Sequence, residues 1–474
     1  MVSFIRSRLL AGSMTFMCVF APSAATSETL AETLVSAYEH SGLLEQNRAL
    51  LRAADEDVAQ IVASLRPILN WSADITRDFG TVNSSLVSTT SGSTLFGIGL
   101  TLDLLIFDFG TTRFQLDAAK ETVLATRQTL RSIEQQILLR AVAAFFNVNR
   151  SIEFVDLRQN NLRVLQEELR AARDRFEVGE VTRTDVAQAE ARVASARSGL
   201  AVAQGDLAQA REEFRAAVGR PPGNLVTSNR LPNLSADVDA AKSVANRNHP
   251  DIKQAQREVT AAELTVLAAD AAMKPTVNFT SRFGLTEEFG ASDDTRSGTF
   301  GLSVTGPIYQ GGLLSSAKRQ AMARRDAARG NLHEVIHQIA LDVGNSYAIL
   351  RASQAVQVSS REEVRAAEVA FNGVREEATL GARTTLDVLD AEQDLLDARA
   401  NQISADIDVF IAAYQVLASI GQLTAKDLNL PVQLYDPAAY YNLVKDAPVP
   451  ISPQGKQLDR VLEAIGKSSQ QRKH

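Results

Sequence analysis

The sequence predicts a mainly α-helical chain, built twice over, in which each half carries a β-hairpin followed by a long coiled-coil hairpin. Three observations predict it. First, the chain repeats itself at one constant offset. Gly179-Glu180-Val181-Thr182-Arg183-Thr184-Asp185-Val186 recurs as Gly381-Ala382-Arg383-Thr384-Thr385-Leu386-Asp387-Val388, and the same 202-residue offset maps Phe107-Asp108-Phe109-Gly110 onto Tyr309-Gln310-Gly311-Gly312. Two distant matches at one spacing mark a duplicated unit, and two copies are too few for a solenoid. Second, no proline falls between Pro67 and Pro221 or between Pro307 and Pro431, so both windows are free to be helical. Third, the hydrophobic period changes from two to three-and-a-half within each copy.

Taken in order, residues 1–25 read as an export signal. Arg6 and Arg8 precede an apolar run from Leu9 to Ala21, and Ser23-Ala24-Ala25 offers small residues for cleavage. The only cysteine, Cys18, lies inside this segment, so the mature chain is expected to have no thiol chemistry. Residues 26–219 form the first repeat: a helix, a β-hairpin at about 68–108, a long helix over 111–178, a tip at 179–184 and a return helix over 185–219. Leu69, Trp71, Ala73, Ile75 and Phe79 alternate with polar residues, and Phe96, Ile98, Leu100, Leu102 and Leu104 do the same. The stretch Gly80 to Thr94 reads as a polar linker. From Thr111 to Val178 there is neither Gly nor Pro, and one helix of that length runs about 100 Å. Gly179 stops it. Thr182, with Asp185 three residues on, restarts a helix through a variant capping box. The return helix carries a heptad seam, Val186, Ala189, Val193, Ala196, Leu200, Ala203, Leu207, Ala210, Phe214, Ala217, in which a large residue alternates with Ala.

Residues 220–240 read as a linker between the repeats. Residues 241–423 repeat the plan: a helix, a hairpin at about 276–309 with a polar linker from Glu287 to Ser297, a long helix over 312–380, a tip at 381–384 and a return helix over 385–421. The second seam runs Val388, Ala391, Leu395, Ala398, Gln402, Ala405, Val409, Ala412, Val416, Ser419. Ile403, Ile407, Phe410, Tyr414 and Leu417 add a second stripe, so this helix is expected to have two neighbours, as in a wall. Residues 424–474 read as an irregular tail, disordered from Pro448.

The alternating strands point to a membrane. In an exported chain the apolar face meets lipid and the polar face water. Four strands cannot close on themselves, and open edges are not tolerated in hydrocarbon. Several chains must therefore share one barrel, and three would supply twelve strands. Trp71, Phe79, Phe107 and Tyr309 stand near strand ends, as interfacial aromatics do. A net charge of −7 leaves no basic face for nucleic acid. No phosphate-binding loop or nucleophile elbow is present, and neither enzyme activity nor a cofactor is expected. His333-Glu334-Val335-Ile336-His337 matches the zinc-peptidase helix motif. It lacks a third ligand and falls in a wall without a cleft, so the two histidines read as helix-surface residues and no metal site is assigned.

The repeat, the strand hairpins and the Gly-x-x-Thr-x-x-Asp-Val tips together resemble the TolC family of outer-membrane channel proteins. Gly381 to Ala391 is the most specific stretch. The resemblance implies a homotrimer: a twelve-stranded barrel in outer-membrane lipid of a Gram-negative bacterium, continued by a long periplasmic tunnel of antiparallel coiled-coil helices. It implies passive exit for a tripartite efflux pump or type I secretion system. The tips, here Gly179, Val181, Thr182, Gly381 and Thr384, would dock on a periplasmic adaptor (membrane fusion) protein coupled to an inner-membrane transporter of RND or ABC type. Asp387 and Asp390 would ring the aperture, with Arg383 holding it closed near Thr184 and Asp185. The family's tyrosine in the second tip falls at Ala378, so the closing bonds are altered. Six carboxylates around one axis would raise their pKa values and invite cations. The alternative reading is a periplasmic coiled-coil adaptor or scaffold without a pore.

Overall fold

The computed structural model describes residues 27–83, 88–227, 230–290 and 294–471. The signal-like segment with Cys18, and Lys473-His474, lie outside the described residues. The described residues open with a short strand β1 (Ser27–Thr29) and helices α1 (Leu30–His40) and α2 (Gly42–Ser64). A hairpin β2 (Ile68–Asn83) and β3 (Ser88–Phe107) follows, then α3 (Thr111–Glu177) and α4 (Arg183–Val218). Strand β4 (Asn224–Val226) pairs in parallel with β1 inside the region read as a plain linker. The second half runs α5 (Val238–Asn248), α6 (Pro250–Ala271), β5 (Thr276–Glu288), β6 (Asp294–Thr305), α7 (Leu313–Thr379) and α8 (Thr385–Ser419). Helices α9 (Pro437–Val444) and α10 (Pro453–Gln471) end the described chain.

α3 and α7 each have 67 residues. A helix of that length needs burial along its course, because propensity alone does not hold it. α4 packs on α3, α3 on α8, and α8 on α7, which makes a wall; nearer the strands α2, α3, α6 and α7 stand side by side. The α4 seam is buried at Ala189, Val193, Ala196, Ala203, Ala210 and Phe214, and the α8 seam at Val388, Leu395, Ala398, Ala405, Val409, Ala412 and Val416. Alanine at every second seam position brings the backbones close. The second stripe of α8 faces α3, where Phe410 stacks on Phe146 with centroids 5.1 Å apart. The largest core joins both halves through Leu138, Phe145, Phe214, Val343 and Leu423.

The four long strands form one antiparallel sheet in the order β2-β3-β5-β6. Its register carries one apolar face across all four strands. Trp71 pairs with Leu100, and Leu100 with Phe283; Leu69 pairs with Leu102, and Leu104 with Phe279, which pairs with Leu302. The reverse face presents Ser72, Asp74, Thr101, Asp103, Thr280 and several glycines. Within the chain the apolar face is bare: Trp71 is 77 % and Phe79 83 % exposed. β2 and β6 each pair on one side only.

Two expectations are corrected. The Ser/Thr-rich linker after Gly80 belongs largely to the strands, with β2 reaching Asn83 and β3 starting at Ser88; likewise β5 reaches Glu288 and β6 starts at Asp294. The backbone ladder continues where both faces turn polar, but the hydrophobic alternation that reveals a strand vanishes there. The tail is partly helical: residues 424–436 and 445–452 are irregular as expected, but α9 and α10 are helices, the second within the stretch read as disordered. Asp436 caps α9, accepting from the Ala438 amide at 2.8 Å, and Pro437 starts it. Ser452 accepts from the Gly455 amide at 2.9 Å at the start of α10, where Pro453 sits in the first turn.

Phe145 is fully buried against α3's neighbours. Phe145→Ala is expected to destabilise the fold by about 3–5 kcal/mol, read as an earlier thermal loss of helical circular dichroism in detergent.

Candidate functional site

The two interhelical tips lie at the far ends of α3 and α7 from the sheet. Both begin with a Schellman motif. Gly179 (φ +79°) donates to the Phe176 carbonyl at 3.0 Å and Glu180 to the Arg175 carbonyl at 2.9 Å. Gly381 (φ +76°) and Ala382 repeat these bonds to Ala378 and Glu377, at 3.1 and 2.9 Å. Glycine is favoured there because the left-handed backbone strains a residue that carries a Cβ.

Two residues later each return helix is capped. The Thr182 amide and hydroxyl donate to Asp185 Oδ2 at 2.8 and 2.9 Å, while the Asp185 amide donates to Thr182 Oγ1 at 3.4 Å. Thr384 and Asp387 make the same three bonds at 2.9, 2.8 and 3.2 Å. The bonds from Thr384, aided by the nearby Arg383 charge, hold the Asp387 carboxyl below its usual range. Its acidity in one chain is therefore set by the cap.

The other candidate residues find partners within the chain. Arg383 Nε bonds Glu377 Oε2 at 2.8 Å, on the turn before its own tip. No bond joins it to Thr184 or Asp185 among the described residues; Thr184 is exposed and Asp185 is committed to its cap. Asp390 Oδ1 lies 2.5 Å from Arg192 Nη2, which links α8 to α4. Ala378 is buried beside Phe371, Val388 and Leu395, a setting with no polar role. Val181 is half-buried, whereas Val178 and Leu380, one repeat apart, point their apolar side chains into solvent at 71 % and 84 % exposure.

Sequence reasoning missed Arg192, Glu377, Val178 and Leu380. The repeat offset could have flagged the last two, since it maps one onto the other. It also maps Glu190 onto Glu392, and their fates differ. Glu190 pairs with Arg173 at the surface at 2.6 Å. Glu392 is buried, accepts from Asn161 Nδ2 of α3 at 3.1 Å, and burial pushes its carboxyl pKa up. A fourth long helix at its back makes the difference.

His333 and His337 are exposed on α7, and no group of three or more metal-ligating side chains occurs among the described residues. No helix among them is long and apolar enough to cross a membrane.

Comparison with known proteins decides the family. The sequence profile of the outer membrane efflux proteins matches residues 33–220 and again 242–422. This chain belongs to the outer membrane efflux protein family. Among its relatives, the outer membrane efflux protein BepC of Brucella suis biovar 1 (strain 1330) is 35 % identical over 89 % of this chain and 92 % of BepC. The outer membrane protein TolC of Escherichia coli (strain K12) is 26 % identical over 84 % of each chain. The crystal structure of the Campylobacter jejuni CmeC outer membrane channel has the same fold, with a TM-score of 0.74 at 16 % identity over 88 % of this chain and 89 % of that one. As an outer membrane efflux protein the chain is an outer membrane channel for efflux or secretion with a helical periplasmic portion.

Two measurements probe the tips. Thr384→Ala removes the cap, and hydrogen exchange at the Asp387 amide is expected to quicken about fivefold. Glu392 binds its proton more tightly folded than unfolded, so its burden on stability is absent at low pH and grows as pH rises above the ordinary carboxylate range. Glu392→Gln is therefore expected to melt later than the native chain at pH 7.5 and together with it near pH 4.

Proposed function

We propose that three copies of this chain form a channel-tunnel that gives passive exit to substrates driven by a partner pump or type I secretion transporter. The observation that carries this reading is the unfinished sheet. Its apolar face runs unbroken through Trp71, Leu100 and Phe283, and its outer edges on β2 and β6 have no strand beside them among the described residues. In hydrocarbon each unpaired backbone group costs several kcal/mol. Pairing β6 of one chain with β2 of the next removes both edges, and twelve strands enclose a water-filled lumen. The helical wall also points to a neighbouring chain. Its edge helix α7 exposes Leu341, Ile349, Val356 and Val369, which a soluble surface rarely gathers on one helix.

At the other end the tips would meet around the axis. Asp387 and Asp390 would line the aperture, and Thr184, Asp185 and Arg383 would face neighbouring chains. Arg192 and Glu377 join this set because they hold Asp390 and Arg383 in the isolated chain. Both pairs are solvent-exposed and individually weak, which suits contacts that must be exchanged on opening. The docking surface for an adaptor protein comprises Gly179, Val181, Thr182, Gly381 and Thr384. Val178 and Leu380 add apolar anchors to it. An inner-membrane transporter of RND or ABC type would supply the energy.

Conductance of the purified oligomer in a planar bilayer tests the reading. Stepwise cation-preferring channels are expected, with a mass of three chains in detergent. Replacing Asp387 and Asp390 together by alanine is expected to lower cation preference. Unchanged selectivity would remove the gate assignment, and a monomer that needs no detergent would return the scaffold reading.

A further inference from the structure

The histidines of α7 are placed in a way that the channel reading leaves unused. His333 and His337 stand one turn apart, both exposed, with their Nε2 atoms 3.0 Å from each other. Their rings are nearly perpendicular, at 88° with centroids 4.3 Å apart. Among the described residues neither imidazole has another hydrogen bond or ion pair. The two nitrogens lie within hydrogen-bond distance of each other at the surface, on a helix whose other side Leu332, Val335, Ile336 and Ile339 pack into the core.

The spacing suits two bonds to one metal ion. With metal–imidazole bonds of about 2.0–2.1 Å, cis ligands of a square-planar or octahedral ion stand about 2.8–3.0 Å apart, whereas tetrahedral ligands stand about 3.3–3.4 Å apart. The observed separation fits the cis arrangement. Imidazole is a preferred ligand for late first-row ions, and Cu2+ heads their order of affinity. Catalytic zinc would need a third protein ligand, and none stands beside the pair among the described residues.

We propose that His333 and His337 form a two-imidazole chelate for a late first-row divalent cation, Cu2+ before Ni2+, with water completing the coordination. The pair binds the ion through lone pairs on both Nε2 atoms, so both rings carry their proton on Nδ1 in the bound state. Each chain supplies a complete pair of imidazoles. Sequence reasoning assigned no metal here because it sought a third ligand and a cleft. A cis chelate on an exposed helix needs neither.

The test is titration of the full-length protein in detergent, purified through a tag free of histidine, with CuCl2. Calorimetry is expected to show one saturable Cu2+ per chain, and electron paramagnetic resonance to show nitrogen hyperfine structure from two imidazoles. His333→Ala and His337→Ala are each expected to weaken binding about tenfold or more, because a chelate falls to a single imidazole, while Glu334→Ala leaves it unchanged. A second measurement needs no variant: Cu2+ should slow carbethoxylation of His333 and His337, read by peptide mass spectrometry, and leave His40 unaffected. Saturable binding that survives both histidine substitutions overturns the proposal. So does equal carbethoxylation with and without Cu2+.

Discussion

Everything in this chain hangs on a seam of alternating large and small side chains. Two helices of 67 residues cannot hold themselves straight in water, and their return helices are too short to enclose them. Alanines such as Ala189, Ala196, Ala398 and Ala405 let the helix pairs close, and Val193, Phe214, Leu395 and Val416 fill what remains. The sheet is mounted at one end of this scaffold and the tips at the other. Neither has a core of its own. The geometry of both ends follows from how closely the seams let four helices stand side by side.

Local chemistry made much of this legible in advance. The tips could be read because stop and restart signals act over a handful of residues: Gly179 and Gly381 end a helix through their own backbone, and Thr182 and Thr384 begin one through a side chain three positions away. The seam could be read because it is periodic. The strands could be read only where one face is apolar. Past Gly80 the ladder continues on Ser and Thr, and nothing in the pattern distinguishes it from a loop. The tail failed for a related reason. It reads as irregular and, from Pro448, disordered, yet Pro437 and Pro453 stand in the first turns of α9 and α10, where proline is at home.

Pairings across long stretches of chain were out of reach. Arg192 meets Asp390, 198 residues later, and Asn161 meets Glu392, 231 residues later. No spacing rule anticipates either. Family resemblance singled out Asp387 and Asp390 of the second tip, but not Arg192, the partner that Asp390 holds in this chain. With Ala378 apolar and buried, the polar contacts around it fall to Glu377 and Arg383.

The second stripe on α8 has a consequence for the history of the duplication. Ile407, Phe410, Tyr414 and Leu417 correspond, through the 202-residue offset, to Gly205, Ala208, Glu212 and Arg215 on α4. The first set grips α3; the second has no long helix to grip. The two halves have therefore ceased to be interchangeable. A chain spliced from two first halves would offer α3 a glycine, an alanine and two opposite charges in place of an aliphatic and aromatic ridge, and the junction between the halves would come apart. What began as a copy now survives as an asymmetric joint, and the order of the halves along the chain is part of the architecture.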